Sequence, residues 1–380
     1  MVPSVSTGKA GHNAMAPAFQ RERRIAELAV QRAIIATERV RNTMTDKGMS
    51  SKADHSPVSI GDFAGQALLI SALHGAFPED RIIAEETADA LRSDEALKQK
   101  VWDVVSSTRL EDKNVEGRLR SPTSPEDMLA LIDLGSVNGD SSRGRVWTID
   151  PIDGTKTYLE DGQYTVVAAL IEDGVQLVGV VGCPHLSLDS AFGLSDYDHV
   201  DPNTPGYIVS AVRGYGSQLR VITKGDLSES VTPISRLSQE PTLSRFLVAE
   251  NSRSVRPSIP DRHRIADVLG VPWQPVQIYS TQLRYVACAL GRCDGMWRLP
   301  ADKNDHTYIW DHNGGILIFK QVGGRVLDLQ GRKMDLSAGR RLDKNICTIA
   351  MREGIRERVV KAVRVVARQH EQYAFLPMDN

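Results

Sequence analysis

The chain lacks any apolar run approaching the roughly 20 residues that a membrane-spanning helix requires. Residues 1–17 also lack the apolar core of a secretory signal. Lys9, Arg21, Arg23 and Arg24 precede most of the acidic residues, as in a mitochondrial presequence, but the arginines belong to a segment with its own helical pattern. The cytoplasm is the expected location. An excess of either charge is missing too. Lys and Arg number 46 against 48 Asp and Glu, a net charge of −2, which gives no electrostatic reason for nucleic acid or membrane partners. Cysteine is scarce: Cys183, Cys288, Cys293 and Cys347 form no CxxC pair and no metal-binding spacing. Buried reduced thiols are expected, and with them a reducing compartment. No internal repeat is present.

What is present is length and pattern. A chain of 380 residues, 41% of them hydrophobic, buries a large core, expected here as two lobes. Residues 1–17 read as a flexible tail. Ala26, Ala29, Val30, Ala33 and Ile34 fall on one face of a helix expected from about Phe19 to Met44. Phe63, Ala67, Ile70 and Leu73 predict a second helix that starts near Asp62, and Ile82 to Ala84 a short strand ending at Glu85-Glu86. Residues 106–145 are polar apart from Met128 to Leu134 and read as a surface insertion over the site. Val166–Ile171 and Val175–Val181, divided by Glu172-Asp173-Gly174, predict a hairpin. Residues 206–244 offer only short β-like pieces among turns. From Phe246 onward the elements alternate: strands at 246–250, 276–279, 296–299 and 325–327, helices at 262–269, 282–290 and 310–321. Such alternation argues for a sheet covered by helices. Residues 354–370 predict a last amphipathic helix. The division expected is an N-terminal lobe at 18–200, a C-terminal lobe with the substrate pocket at 205–352, and a helix and tail at 353–380.

The most informative stretch is Trp147-Thr-Ile-Asp150-Pro-Ile-Asp153-Gly-Thr155. It opens β-prone and apolar, then sets two carboxylates three residues apart across Pro151, which cannot continue a ladder. Two carboxylates on a rigid turn suit a hard cation such as magnesium, which takes oxygen ligands and needs few of them from protein. N–H groups at Gly154 and Thr155, where a helix can start, would face a bound phosphate. Asp-Pro-x-Asp-Gly is equally ordinary turn chemistry, so the surrounding acids decide. Asp62 is explained as well by a helix N-terminus, Glu85-Glu86 by a solvated surface, and Asp311 by the first turn of a helix. That helix contains Gly314 and Gly315, each costing about 1 kcal/mol relative to alanine, so a backbone or ligand must come close there.

Taken in order, Asp62, Glu85-Glu86, Asp150-Pro-Ile-Asp153-Gly-Thr155 and Trp310-Asp311 resemble the lithium-sensitive, magnesium-dependent phosphomonoesterases that include inositol monophosphatase and fructose-1,6-bisphosphatase. The resemblance spans residues 22–352. Asp54-His-Ser-Pro57-Val58, Gln163-Tyr164, Gly182-Cys183-Pro184, Arg298-Leu299-Pro300 and Ile309-Trp310-Asp311-His312 resemble its 3′(2′),5′-bisphosphate nucleotidase branch. The resemblance implies an α/β (α+β) fold, layered α–β–α–β–α in two lobes. It implies two or three Mg2+ ions: Glu85, Asp150 and the Ile152 carbonyl at the first, Asp150, Asp153 and Asp311 at the second, and Glu85 or Asp62 near a weaker third. Asp62 with Thr155 would orient and deprotonate the attacking water, with Glu86 backing the site. No cysteine or histidine offers itself as a phosphorylated nucleophile.

The substrate pocket departs from that branch. Glu250-Asn251-Ser252-Arg253 stands for the usual Glu-Ala-Ser-His, Ser280-Thr281-Gln282-Leu283-Arg284-Tyr285 for Asp-Ser-x-x-Lys-Tyr, and Asn313-Gly314-Gly315 for Ala-Ala-Gly. Arg253, Ser280, Thr281, Arg284 and Arg298 are the substrate-binding candidates. The expected function is hydrolysis of the 3′-phosphate of 3′-phosphoadenosine 5′-phosphate or a similar bisphosphorylated nucleotide. An inositol phosphate or other small phosphometabolite is the alternative, and a non-catalytic phosphate sensor the alternative from another class.

Overall fold

A computed structural model of the chain describes residues 18–43, 50–51, 57–136, 141–188, 194–196, 205–251, 259–300, 305–369 and 371–375. Helix α1 (Gln20–Thr43) buries the predicted stripe, Ala26, Ala29, Val30, Ala33 and Ile34. After the two-residue ladder of β1 (Ser50–Ser51) with β2 (Pro57–Val58) comes α2 (Ile60–Ala76), buried along nearly its whole length. The start of α2 is fixed by a capping box: Ser59 Oγ accepts from Gly61 N at 3.1 Å, and Asp62 Oδ2 accepts from Ser59 N at 2.7 Å.

The first sheet has seven strands: β3 (Arg81–Ala84), β4 (Arg145–Asp153), β5 (Thr165–Glu172), β6 (Val175–Cys183), β7 (Tyr207–Val212), β8 (Ser217–Val221) and β9 (Val231–Pro233). They lie side by side in chain order, β3 parallel to β4 and every later neighbour antiparallel. The β5–β6 hairpin turns where Asp173 (φ 49°) and Gly174 (φ 73°) both enter the left-handed region, which the strand twist demands of a tight hairpin. Two expectations change here. Pro151 does not end β4: the pairing with β5 runs to Asp150, shifts register across the proline and resumes at Asp153 opposite Thr165. The short pieces at 206–244 include three strands of this same sheet, so a boundary at 205 cuts through it.

Between β3 and β4 lie α3 (Asp89–Ser93), α4 (Glu95–Ser107), α5 (Lys113–Glu116) and α6 (Pro125–Leu134). Met128 and Ile132 of α6 are fully buried in a core shared with α2 and α4. The fully buried Arg32 of α1 ties the connecting loop down, bonding Glu116, Ser121 and the carbonyls of Leu68 and Arg120.

Past the short α7 (Thr155–Leu159), the second half adds β10 (Val248–Glu250), α8 (Ile259–Leu269), β11 (Pro275–Gln277), α9 (Thr281–Ala289) and β12 (Gly295–Arg298). It ends with α10 (Asn313–Gln321), β13 (Gly324–Leu327), β14 (Thr348–Arg352) and α11 (Arg356–Arg368). Its five strands run β11-β10-β12-β14-β13. Alternate residues of β5 separate the layers: Val166, Ala168 and Leu170 pack toward α1 and α2, Val167 toward α9 and α10. Ala249, Met296 and Ala350 of the second sheet close on the other side of α9 and α10, while Val248, Trp297 and Ile349 face α8 and α11. The order of layers is α–β–α–β–α. No described helix is long and apolar enough to cross a membrane. All four cysteines are free and buried.

Candidate active site

The ladder between β3 and β4 ends with Ala84 opposite Ile149, so the next residues, Glu85 just past β3 and Asp150 still paired with β5, come side by side. Their carboxyls are in hydrogen-bonding contact. Asp150 is 1% exposed, and its Oδ1 accepts from Ile152 N at 3.1 Å. Asp153, beyond the register shift, turns onto the N-terminus of α9. Its Oδ2 accepts from Ser280 Oγ and Gln282 N, both at 2.6 Å, and its Oδ1 from Thr281 N at 3.2 Å. A carboxylate meets the unsatisfied donors of a helix start favourably there. Gly154 follows at φ 101°, and a Cβ on it would stand 3.3 Å from that of Ser280. Glycine is therefore needed twice over.

Asp311 precedes α10 rather than opening it, since His312 is the residue at the cap. Its Oδ2 accepts from Thr307 Oγ1 at 3.0 Å and Tyr308 N at 3.2 Å. Asp62 is fully buried, and Thr155 Oγ1 lies 3.4 Å from its Oδ1 and 3.1 Å from the Ile152 carbonyl. The single hydroxyl hydrogen has two acceptors, and what else binds the Ile152 carbonyl sets its choice. Helix α7 is only five residues long, so a phosphate at Gly154 and Thr155 would be met by individual N–H groups more than by a macrodipole.

Burial, then the charges of Glu85, Asp153 and Asp311, push the Asp150 carboxyl well above the usual range. Loss of solvent, then Asp153 and Glu85, push Asp311 up to about 7. Burial raises Asp153 as well, against the opposing pull of Ser280, Gln282 and Arg284. Acids held toward their neutral form by burial and mutual repulsion are relieved by a hard divalent cation. The donor set fits magnesium in kind. Among the described residues no three His, Cys, Asp or Glu side chains stand as a finished cage; Asp153 and Asp311 spend oxygens on protein donors, and magnesium characteristically completes its octahedron with water.

On the substrate side Arg284 is buried, its Nη2 donating to Thr281 Oγ1 at 2.8 Å, and Arg298 pairs with Asp305 at 2.6 Å. Ser280 differs from expectation. It is fully buried, its hydroxyl donating to Asp153 and accepting from Leu283 N at 3.0 Å, so it supports a carboxylate instead of meeting substrate. Arg253 lies outside the described residues. Sequence reasoning missed Arg262, which pairs with Glu250 and lies close enough to Arg284 and Arg298 for their charges to bear on it. It also missed Arg340, whose guanidinium lies 4.7 Å from the Trp310 ring and donates to the carbonyls of Gly135 and Glu85. That contact ties the Glu85 loop to the Trp310-Asp311 segment. Neither arginine belongs to a motif, so spacing alone gave no signal.

A five-layered α/β fold with buried acids converging at the ends of β3 and β4 defines a class of metal-dependent phosphatases. The chain belongs to the inositol monophosphatase family, whose sequence profile matches residues 21–368. It is 41% identical over 352 residues to a 3′(2′),5′-bisphosphate nucleotidase of Emericella nidulans, covering 92% of this chain and 99% of that one. It is 36% identical to the enzyme of the same name from Schizosaccharomyces pombe, over 92% and 96%. Among solved structures, inositol monophosphatase II of Staphylococcus aureus superposes with a TM-score of 0.57 at 14% identity, covering 93% and 98% of the two chains. At that identity the likeness speaks for the fold.

Proposed function

We propose that this chain is a magnesium-dependent phosphomonoesterase that removes the 3′-phosphate from 3′-phosphoadenosine 5′-phosphate or a closely similar bisphosphorylated nucleotide. The observation that carries the reading is the gathering of Glu85, Asp150, Asp153 and Asp311 with Asp62 and Thr155 close by. The chain's likeness to named bisphosphate nucleotidases over nearly its whole length adds the substrate class. Glu85, Asp150, the Ile152 carbonyl, Asp153 and Asp311 would hold two ions. Such ions stabilise charge on the attacking and leaving oxygens of an in-line displacement.

The chain's own residues do the rest. Ser59 fixes Oδ2 of Asp62, leaving Oδ1 toward Thr155. With its hydrogen given to Asp62, the Thr155 oxygen accepts a hydrogen from the attacking water, and the proton moves toward the carboxylate without a strongly basic group. Gly154 and Thr155 N–H groups hold the transferred phosphate. Arg284 and Arg298, with Arg253 and Arg262, meet the second phosphate, which guanidinium groups bind bidentately. Inhibition by lithium and a cytoplasmic location belong to the same reading.

The test is phosphate release with magnesium from 3′-phosphoadenosine 5′-phosphate, 3′-AMP and inositol 1-phosphate. The bisphosphate is expected to be the best substrate by kcat/KM, and Arg298→Ala to raise KM for it far more than for the monophosphates. Equal efficiency on all three removes the second-phosphate pocket; release from none leaves a phosphate-binding protein without catalysis.

A further inference from the structure

Behind Asp311 runs a chain of buried side chains. Thr307 Oγ1 lies 3.0 Å from Asp311 Oδ2 and 2.7 Å from His312 Nε2. Tyr285 Oη lies 2.7 Å from His312 Nδ1. His312 is fully buried, and Tyr285 sits in the middle of α9. We infer that Tyr285, His312 and Thr307 form a positioning relay that holds Asp311 in place as a metal ligand, with His312 confined to one neutral tautomer.

The directions follow from the acid end. As a metal ligand Asp311 is ionised, and an ionised carboxylate only accepts hydrogen bonds; this step rests on the metal-centre reading proposed above. The one hydroxyl hydrogen of Thr307 therefore goes to Asp311. Toward His312 the Thr307 oxygen can then only accept, so Nε2 carries the hydrogen. A neutral imidazole has a single N–H, which leaves a lone pair on Nδ1 and makes Tyr285 the donor. If the ring carried its hydrogen on Nδ1, the Nε2 lone pair would compete for the hydrogen of Thr307, and Asp311 would lose its side-chain donor and keep only Tyr308 N. The Tyr285 oxygen would then accept from Nδ1, and its own hydrogen would be turned away from the ring. Groups that orient a metal ligand from behind commonly change metal affinity by about 10- to 100-fold when removed.

Helix α9 gives the relay its rigidity. Thr281 N and Gln282 N at its first turn bond Asp153, and Gln282 Nε2 donates to the Trp310 carbonyl at 2.6 Å. Tyr285, one turn further along, reaches His312. One helix thus sets Asp153 directly and Asp311 through three side chains, fixing the separation of two carboxylates that arrive from opposite halves of the chain.

The test uses the full chain and two readouts that do not depend on turnover. Nitrogen-15 NMR of the histidine-labelled, magnesium-loaded protein should show His312, identified as the ring that Thr307→Ser perturbs, protonated at Nε2 and not at Nδ1. A ring protonated at Nδ1, or at both nitrogens near neutral pH, overturns the relay. Calorimetric titration with Mg2+ alone should give Thr307→Ser an affinity within about twofold of wild type and Thr307→Val one at least about tenfold weaker. In the Thr307→Val background, adding Tyr285→Phe and His312→Phe together should cost no further affinity, because the relay is already cut. Normal Mg2+ binding unmoved by Thr307→Val overturns the relay and leaves the metal centre standing. If the wild-type chain binds Mg2+ no better than Asp150→Asn, the metal centre itself falls and the relay with it.

Discussion

Asp62 has two tasks, and its substitution separates them. Its Oδ2 closes the cap of α2 through Ser59, and its Oδ1 faces Thr155. Asp62→Asn should cost about 0.5–2 kcal/mol of stability, the usual range for a disturbed cap, seen as a lower urea midpoint. Activity should fall far more than that. Thr155→Ala should lose activity without the stability cost, and the double variant should be little worse in turnover than either single, because groups acting as a unit are non-additive. Multiplying losses would show that the two act apart. Asp150 makes the opposite prediction for stability. Its carboxyl is buried among acids, so Asp150→Asn removes repulsion while keeping shape. Measured in a chelator, its melting temperature should equal or exceed that of wild type. In magnesium its turnover should drop by orders of magnitude; retention of more than about a tenth of it would contradict a shared two-ion role.

At the level of elements, α9 and α10 govern the site through their closeness. A Cβ on Gly315 would stand 2.6 Å from Tyr285 Cβ and 2.7 Å from Gln282 Oε1, and one on Gly179 of β6 would stand 2.7 Å from the Gly314 carbonyl. Overpacking at such a contact costs typically about 1–3 kcal/mol. Gly315→Ala should therefore lower the thermal midpoint and, by moving α10, weaken Mg2+ binding as well; a stable variant with unchanged binding would show the helices free to part. The sequence announced a close approach here, because two glycines inside a helix have a local cost. It did not say what approaches, since the partner residues lie 33 and about 135 positions away. Asn313 is the same kind of case. It departs from the alanine that the resemblance leads one to expect, yet its Nδ2 donates to Thr148 Oγ1 at 2.9 Å and its Oδ1 accepts from Gln176. Period and turn chemistry revealed most elements and the acids, because those signals are local. The strands at 206–244, the support of Asp153 by Ser280 and the roles of Arg262 and Arg340 depend on tertiary neighbours, and no local signal carries them.

For the whole molecule, acid should act partly through the back of the first layer. Glu38 of α1 accepts from Tyr164 Oη at 2.7 Å and lies 3.0 Å from His185 Nε2. Burial raises its carboxyl, but His185, Tyr164 and Arg41 outweigh that and hold it below its ordinary value. A carboxyl depressed in the folded state stabilises the fold above its unfolded pKa, and that contribution disappears as pH falls through the folded pKa. Glu38→Gln should therefore lower the urea midpoint at pH 7 and converge with wild type in strong acid. A constant gap down to pH 2 would mean that packing, not charge, is what the substitution removes.

The two sheets also differ in when they can exist on a ribosome. The seven-stranded sheet adds each strand beside its predecessor, so apart from the helical crossover between β3 and β4 its pairings close over shorter stretches of chain and assemble as the polypeptide emerges. The five-stranded sheet has β14 between β12 and β13. Its interior stays open until residue 352 has been made, and with it the scaffold behind α10 and Asp311. A nascent chain carries Glu85, Asp150 and Asp153 long before it carries the means to place the fourth acid. Competence for metal is thus a late event in synthesis, and chains truncated before β14 should fold a first sheet without a working site.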